Sequence, residues 1–207
     1  MPRIVKKNNI RKVRNRLLIV CGGSTEKYYF DRIKAYSLYE VTSIKIRKVD
    51  DGETKPLEIV NEAIRLKNNF DLIYAVFDKD NFDDFDLAIM IAQKNGVIPI
   101  YSNQAFELWI YYHFEYFCGN KHRDKLIELI KMHISSQKSV IKKEYSKSDL
   151  NNIWDIIEPN IRKAMENSKR SVQFFNKLNN EVKGYERISN RESSTNVYEL
   201  MDKIYRN

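Results

Sequence analysis

Residues 72–80, with the sequence LIYAVFDKD, decide the fold class. An unbroken apolar run of this length is typical of a strand that is buried on both faces of a parallel sheet. The run ends at Asp78 and Asp80, and the period-2 alternation of a strand points both carboxylates to the same side. Because ligands of open α/β sheets bind outside the carboxyl ends of the strands, we expect a functional site at these two aspartates.

The same order of strand, short loop and helix occurs four times. Gly22 and Gly23 follow the first predicted strand, and Ser24 is expected to cap the helix after it. Pro56 is well placed in the first turn of the second helix. The predicted strands cover residues 17–21, 41–49, 72–77 and 97–101, and the predicted helices begin near residues 25, 56, 85 and 104. This pattern indicates an α/β fold with a doubly wound, mostly parallel sheet and right-handed crossovers.

The chain of 207 residues is long enough for one α/β domain with an extension. We expect a basic N-terminal arm at residues 1–16, the α/β domain at residues 17–120, and a helical C-terminal extension of the same unit at residues 121–207. Two cysteines are too few for a disulfide scaffold, and no stretch has the length and apolarity of a membrane helix or a signal peptide. We therefore expect a cytoplasmic protein without a membrane partner.

The net charge of +8 is unevenly distributed along the chain. Residues 1–16 carry seven basic residues and no acidic one, residues 17–120 have a net charge of −5, and residues 121–207 have a net charge of +6. An acidic centre that attracts cations, between basic flanks that attract polyanions, is typical of a metal-dependent enzyme that acts on nucleic acid. A solvated basic tail and a solvated helical face would give the same distribution.

Asp78 and Asp80 are candidate metal ligands. Two neighbouring carboxylates repel one another, and Mg²⁺, or Mn²⁺ in its place, would keep both of them ionised near neutral pH. The alternative is a solvated, Asp-rich turn, because further aspartates follow at positions 83, 84 and 86.

Glu26 and Glu107 are further candidates, because each lies near the start of a helix that follows a predicted strand. Each could add a further acid or an acid-base group to the aspartate pair. The alternative is that both are ordinary helix carboxylates, with Glu26 placed near the positive end of its helix and Asn103 as the cap of the helix that carries Glu107. His113, on that same helix, is expected to pack rather than to react.

Residues 19–30 read IVCGGSTEKYYF, residues 76–80 read VFDKD, residues 102–109 read SNQAFELW, and residues 194–198 read STNVY. In this order the segments resemble the RloB family, which includes components of AbiL-type phage abortive infection systems. The resemblance implies a Toprim-like fold, which is the metal-binding module of topoisomerases, primases and nucleases of the OLD type. It also implies a role in bacterial defence beside a partner ATPase of the AAA or ABC type.

The resemblance also assigns residues. Asp78 and Asp80 match the Toprim acid pair, and Glu107 matches the family's third motif, so these three are expected to hold the metal. RloB relatives typically have Cys-Glu-Gly after the first strand, whereas this chain has Gly22 at the place of the glutamate. Either Glu26, about one helical turn later, replaces the missing acid, or the site lacks full catalytic power.

The sequence favours a Mg²⁺-dependent nuclease that acts on DNA or RNA, with Glu26, Asp78, Asp80 and Glu107 in its site. The alternative is a non-catalytic subunit that binds a cation or a nucleotide and associates with the ATPase, and Gly22 favours this reading. A receiver-like signalling domain also has an aspartate at the end of a central strand. It needs its other acids after the first strand, where this chain has glycine.

The N-terminal arm is predicted to bind nucleic acid, because its basic residues have neither acidic neighbours nor an apolar face to hold them against a core. These residues are Arg3, Lys6, Lys7, Arg11, Lys12, Arg14 and Arg16. Deleting residues 2–14 should weaken nucleic-acid binding, measured by fluorescence anisotropy over a series of salt concentrations. The slope of log affinity against log salt should become shallower by about 0.7–0.9 for each phosphate that the shortened protein no longer neutralises. An unchanged slope would reject a role for the arm in binding.

Overall fold

The computed structural model describes residues 15–36, 41–49, 54–119, 122–136, 145, 150–184 and 186–205. Its strands are β1 (Asn15–Cys21), β2 (Val41–Lys48), β3 (Leu72–Asp78), β4 (Ile98–Asn103) and β5 (Ser194–Thr195). They form one sheet in the order β2-β1-β3-β4-β5. The first four strands are parallel, and β5 is antiparallel to β4. The expected α/β class with a mostly parallel sheet is confirmed.

The helices begin close to the predicted positions. Pro56 opens the second helix, as its fixed φ angle favours. The helices are α1 (Ser24–Ile33), α2 (Pro56–Leu66), α3 (Phe85–Lys94), α4 (Glu107–Tyr112), α5 (Arg123–Ser136), α6 (Trp154–Ile157), α7 (Ile161–Glu181) and α8 (Val197–Ile204). Across the described ranges, no helix has both the length and the apolar composition needed to cross a membrane.

The sheet is covered on both faces. Leu17 and Ile19 of β1 point into one core, which also contains apolar residues of α1, α4 and α8. Leu18 and Val20 point into the other core, which contains apolar residues of α2 and α3. Successive side chains of a strand point to opposite faces, so an apolar run such as that of β1 fills both cores.

The part of the chain after residue 121 contributes more than helices. Ser194 and Thr195 form β5 and pair with Asn103 and Ser102 at the end of β4. The prediction of a wholly helical extension missed this strand, because two residues are too short to show a period-2 pattern. The domain boundaries at residues 16 and 120 stay predictions.

Most of the predicted basic arm, residues 1–14, lies outside the described residues. Arg16 is described, and it belongs to β1. Its backbone N–H donates to Asp71 Oδ2 at 2.7 Å, and its Nε lies 3.5 Å from the same oxygen. This pair lies at the amino end of the strand, about 20 Å from the carboxyl end. Arg16 is therefore far from the aspartates that end β3.

Candidate functional site

The carboxyl ends of three neighbouring strands, β1, β3 and β4, open into one cavity of about 320 Å³. The loop after β1 leads into α1, β3 ends at an aspartate, and the loop after β4 leads into α4. All four acidic residues proposed from the sequence line this cavity: Glu26, Asp78, Asp80 and Glu107. The fold therefore brings together side chains from three separate segments of the chain.

Arg123, the first residue of α5, lies among these carboxylates. Its Nη2 forms an ion pair with Asp80 Oδ2 and lies 3.7 Å from Asp78 Oδ2. Its Nε lies 3.7 Å from Glu107 Oε2. Burial alone would lower the pKa of this guanidinium, but the three carboxylates outweigh burial and raise it. Sequence reasoning missed Arg123, because a single arginine at a helix start carries no local pattern that marks it as functional.

Asp78 and Asp80 face the same cavity, but not through strand alternation. β3 ends at Asp78, and Asp80 has a φ angle of 37°, in the left-handed region. Short polar side chains tolerate this conformation better than most others. The backbone N–H of Lys79 donates to Ser102 O, and that of Asp80 donates to Gln104 O, each at 2.9 Å. The turn that aligns the two carboxylates is thus fixed against the end of β4.

Glu26 reaches the cavity by folding back over the start of its own helix. Gly23 is the N-terminal cap of α1, so the prediction that Ser24 caps this helix is wrong. A Cβ atom placed on Gly23 would lie 2.7 Å from the Glu26 carboxyl carbon, so a larger residue at this position would push the carboxylate aside. Glycine at position 23 therefore makes room for the carboxylate.

The Glu26 carboxyl titrates near neutral pH. Burial and the charge of Glu107 raise its pKa to about 7, although the backbone N–H groups of Glu26 and Gly23 counteract this rise. A carboxyl group with this pKa can both accept and donate a proton at physiological pH.

Glu107 is the first residue of α4 and is only 3% exposed. The hydroxyl of Tyr145 donates to its Oε1 at 3.3 Å. The prediction that Asn103 caps this helix is wrong, because the Asn103 amide donates to the carbonyl oxygens of Ile188 and Ser189 instead. Tyr145 was not predicted from the sequence, since it lies 38 residues beyond the glutamate that it contacts.

Asp78 has the most crowded surroundings of the four acids. Burial and the charges of Glu26, Asp80 and Glu107 raise its pKa well above the ordinary value, and Arg123 only partly counteracts them. Its Oδ1 is buried and has no hydrogen-bond partner among the described residues. A buried acceptor without a partner is costly and is a natural ligand for a cation.

The donor chemistry of this cavity suits Mg²⁺ or Mn²⁺, because carboxylate oxygens are the ligands that these hard cations prefer. Among the described residues, however, no three His, Cys, Asp or Glu side chains are grouped closely enough to hold a metal ion as they stand. By their chemistry these oxygen donors fit a divalent cation. As the side chains are arranged, however, the partner of Asp78, Asp80 and Glu107 is the Arg123 guanidinium.

His113 is part of the core rather than of the cavity. It is fully buried, and its Nδ1 lies 3.0 Å from the carbonyl oxygen of Trp109. A carbonyl only accepts, so Nδ1 carries the proton and Nε2 accepts from the Tyr29 hydroxyl at 3.0 Å. Burial lowers the pKa of this histidine to about 4, which keeps it neutral in the folded protein. The sequence-based expectation of a packed histidine agrees with these contacts.

Comparison with protein families identifies the chain. The family model described as RloB-like protein matches residues 17–204. The chain therefore belongs to the RloB-like family, which confirms the resemblance seen in the sequence. Neither the curated proteins nor the solved structures gave a match.

Asp78→Asn is expected to raise the melting temperature of the metal-free protein at about pH 8. The substitution removes a buried charge that three neighbouring carboxylates oppose. A raised pKa penalises only the ionised form of the wild-type residue, so the difference should shrink as the pH falls below that raised pKa towards the ordinary pKa of an aspartate. Differential scanning fluorimetry in EDTA, between about pH 5 and 8, measures it.

Asp71→Asn is the matched control, since it makes the same change at the other end of the sheet. The backbone and side chain of Arg16 lower the pKa of Asp71, so this variant should be slightly less stable than wild type near neutral pH. Melting temperatures that fall alike in both variants would contradict the electrostatic account of Asp78.

Proposed function

We propose that this protein is a nuclease that cleaves DNA or RNA and depends on Mg²⁺, or on Mn²⁺ in its place. The main support is the convergence of four acidic side chains from three strand ends on one cavity. The resemblance to the RloB family further implies a Toprim-like site and a role in anti-phage abortive infection in the bacterial cytoplasm. It also implies that the protein acts together with a partner ATPase of the AAA or ABC type. The acid pair of that site corresponds to Asp78 and Asp80.

The four acids have separate roles in the proposed reaction. Asp78, Asp80 and Glu107 would hold the divalent cation. A cation bound there would polarise the scissile phosphate and favour ionisation of a water molecule. Glu26, whose pKa is raised to about 7 mainly by burial, can take the proton from water or return one to the leaving oxygen. Tyr145 fixes the orientation of Glu107 through its hydrogen bond.

The direct test is incubation of the protein, with and without its partner ATPase, with plasmid DNA and with total RNA in Mg²⁺, Mn²⁺ or EDTA. We expect cleavage of one substrate in Mg²⁺ or Mn²⁺ and none in EDTA. Asp78→Ala and Asp80→Ala should each abolish cleavage without lowering the melting temperature much, since strand-end carboxylates serve the site rather than the core. Asp71→Ala, which changes an aspartate remote from the cavity, should retain activity. Full activity of both site variants would refute the proposal.

A catalytically degenerate subunit is the second candidate. In this reading the cavity binds a cation or a nucleotide, and the chain regulates the ATPase or is recruited by it. Two observations favour it: Gly22 lacks the carboxylate that RloB relatives typically carry, and Arg123 is paired with the carboxylates. The place of Glu26 favours the nuclease instead, because its carboxylate lies over the backbone of Gly23, next to the position of the missing acid.

Gly22→Glu and Glu26→Gln distinguish a relocated acid from a degenerate site. A Cβ atom at Gly22 would lie 2.7 Å from Cδ1 of Ile59, so Gly22→Glu should be made together with Ile59→Val, which removes that atom. If Glu26 has replaced the missing acid, Glu26→Gln should be as damaging to cleavage as Asp78→Ala, and Gly22→Glu should bring no gain. Ile59→Val alone is the control for packing.

The opposite result supports the degenerate site: Gly22→Glu with Ile59→Val creates or raises nuclease activity, and Glu26→Gln has no effect. If neither change alters activity while both proteins still bind the ATPase, the first loop has no catalytic role.

A further inference from the structure

Arg123 is attracted by several negative charges but forms few hydrogen bonds with them. It lies near three carboxylates, yet only the pair with Asp80 is within hydrogen-bond distance. The distances of 3.7 Å to Asp78 and Glu107 are too long for hydrogen bonds. The Nε atom is buried, and no residue in the described part of the chain forms a hydrogen bond with it. The guanidinium is therefore held mainly by electrostatic attraction and does not form a bidentate Arg–carboxylate pair.

The same oxygens are the ones that a divalent cation would need. Arg123 faces Asp78 Oδ2, Asp80 Oδ2 and Glu107 Oε2. Mg²⁺ binds carboxylate oxygens at about 2.0–2.1 Å, so an ion on these oxygens would lie within a few ångströms of the guanidinium. Two cations at that separation repel strongly among partly buried side chains. Both cannot occupy the cluster at once.

We propose that Arg123 is a displaceable counter-cation, which competes with a divalent cation for the carboxylates of Asp78, Asp80 and Glu107. In the metal-free protein it offsets the repulsion among the acids. Metal binding then requires the guanidinium to leave, and this couples occupation of the site to the start of α5. The side chain is 29% exposed, so it has a path to solvent without disturbing the core. This inference rests on the proposed metal-dependent function.

The test is the affinity of the purified full-length protein for Mn²⁺, measured by isothermal titration calorimetry in the absence of nucleic acid. Arg123→Gln should bind Mn²⁺ more tightly than wild type, by about 5-fold to 150-fold, the usual range for coupling between two ligands. The same variant should melt at a lower temperature without metal, because the acids lose their counter-cation. Added Mn²⁺ should raise its melting temperature by more than it raises that of wild type.

Arg65→Gln is the matched control. Arg65 pairs with Glu62 through two hydrogen bonds of 2.7 Å on the surface of α2, so its loss changes the net charge equally without touching the cavity. Its Mn²⁺ affinity should equal that of wild type. Combining Arg123→Gln with Asp78→Asn should abolish the tight binding of Mn²⁺. This loss would show that the ion binds at the carboxylate cluster.

The outcomes separate the inference from the proposed function. If wild type binds Mn²⁺ and Arg123→Gln binds it equally or more weakly, the competition is wrong while the metal site stands. If neither wild type nor Arg123→Gln binds Mn²⁺, both the competition and the proposed metal site are wrong. Should Arg123→Gln fail to fold, Arg123→Met takes its place. Methionine removes the charge and keeps a long, flexible side chain, so its Mn²⁺ affinity should again exceed that of wild type, and an unchanged affinity would overturn the competition.

Discussion

Mutual repulsion among four carboxylates is the constraint on which the site depends. Glu26, Asp78, Asp80 and Glu107 line one cavity, where their side chains are largely buried and their charges interact over short distances. Burial first, and then the charges of the neighbouring acids, raise the pKa values of Glu26 and Asp78. Such a cluster persists only if protons, an internal cation or a bound metal ion offset the charge, and Arg123 supplies the internal cation here.

The rest of the fold keeps these acids in place. Parallel strands with short connections bring three segments to one edge of the sheet, and two separate cores fix the sheet from both sides. The turn after β3 is bound to the end of β4, which is in turn paired with β5. Glycine at position 23 admits the Glu26 carboxylate. Rigid support of this kind is what a site needs when its groups would otherwise move apart.

Local patterns in the sequence predicted most of the strands of the sheet, and they singled out the four acidic residues that line the cavity. The apolar run before Asp78 and the proline at the start of α2 are strong signals because they act within a few residues. Arg123 and Tyr145 could not be predicted in this way. The pair between Arg123 and Asp80 spans 43 residues, so it is decided by how α5 packs rather than by any local preference. Asn103 was misjudged for the same reason, since distant carbonyl groups bind its amide.

Crystals of the protein soaked in MnCl₂ give the most direct test, because manganese has a distinct anomalous X-ray signal. We expect one anomalous peak among the carboxylates of Asp78, Asp80 and Glu107, with the Arg123 guanidinium withdrawn from Asp80 relative to crystals kept in EDTA. No peak at this cluster under saturating Mn²⁺, or a peak there with Arg123 still paired with Asp80, would contradict competition between Arg123 and a metal ion.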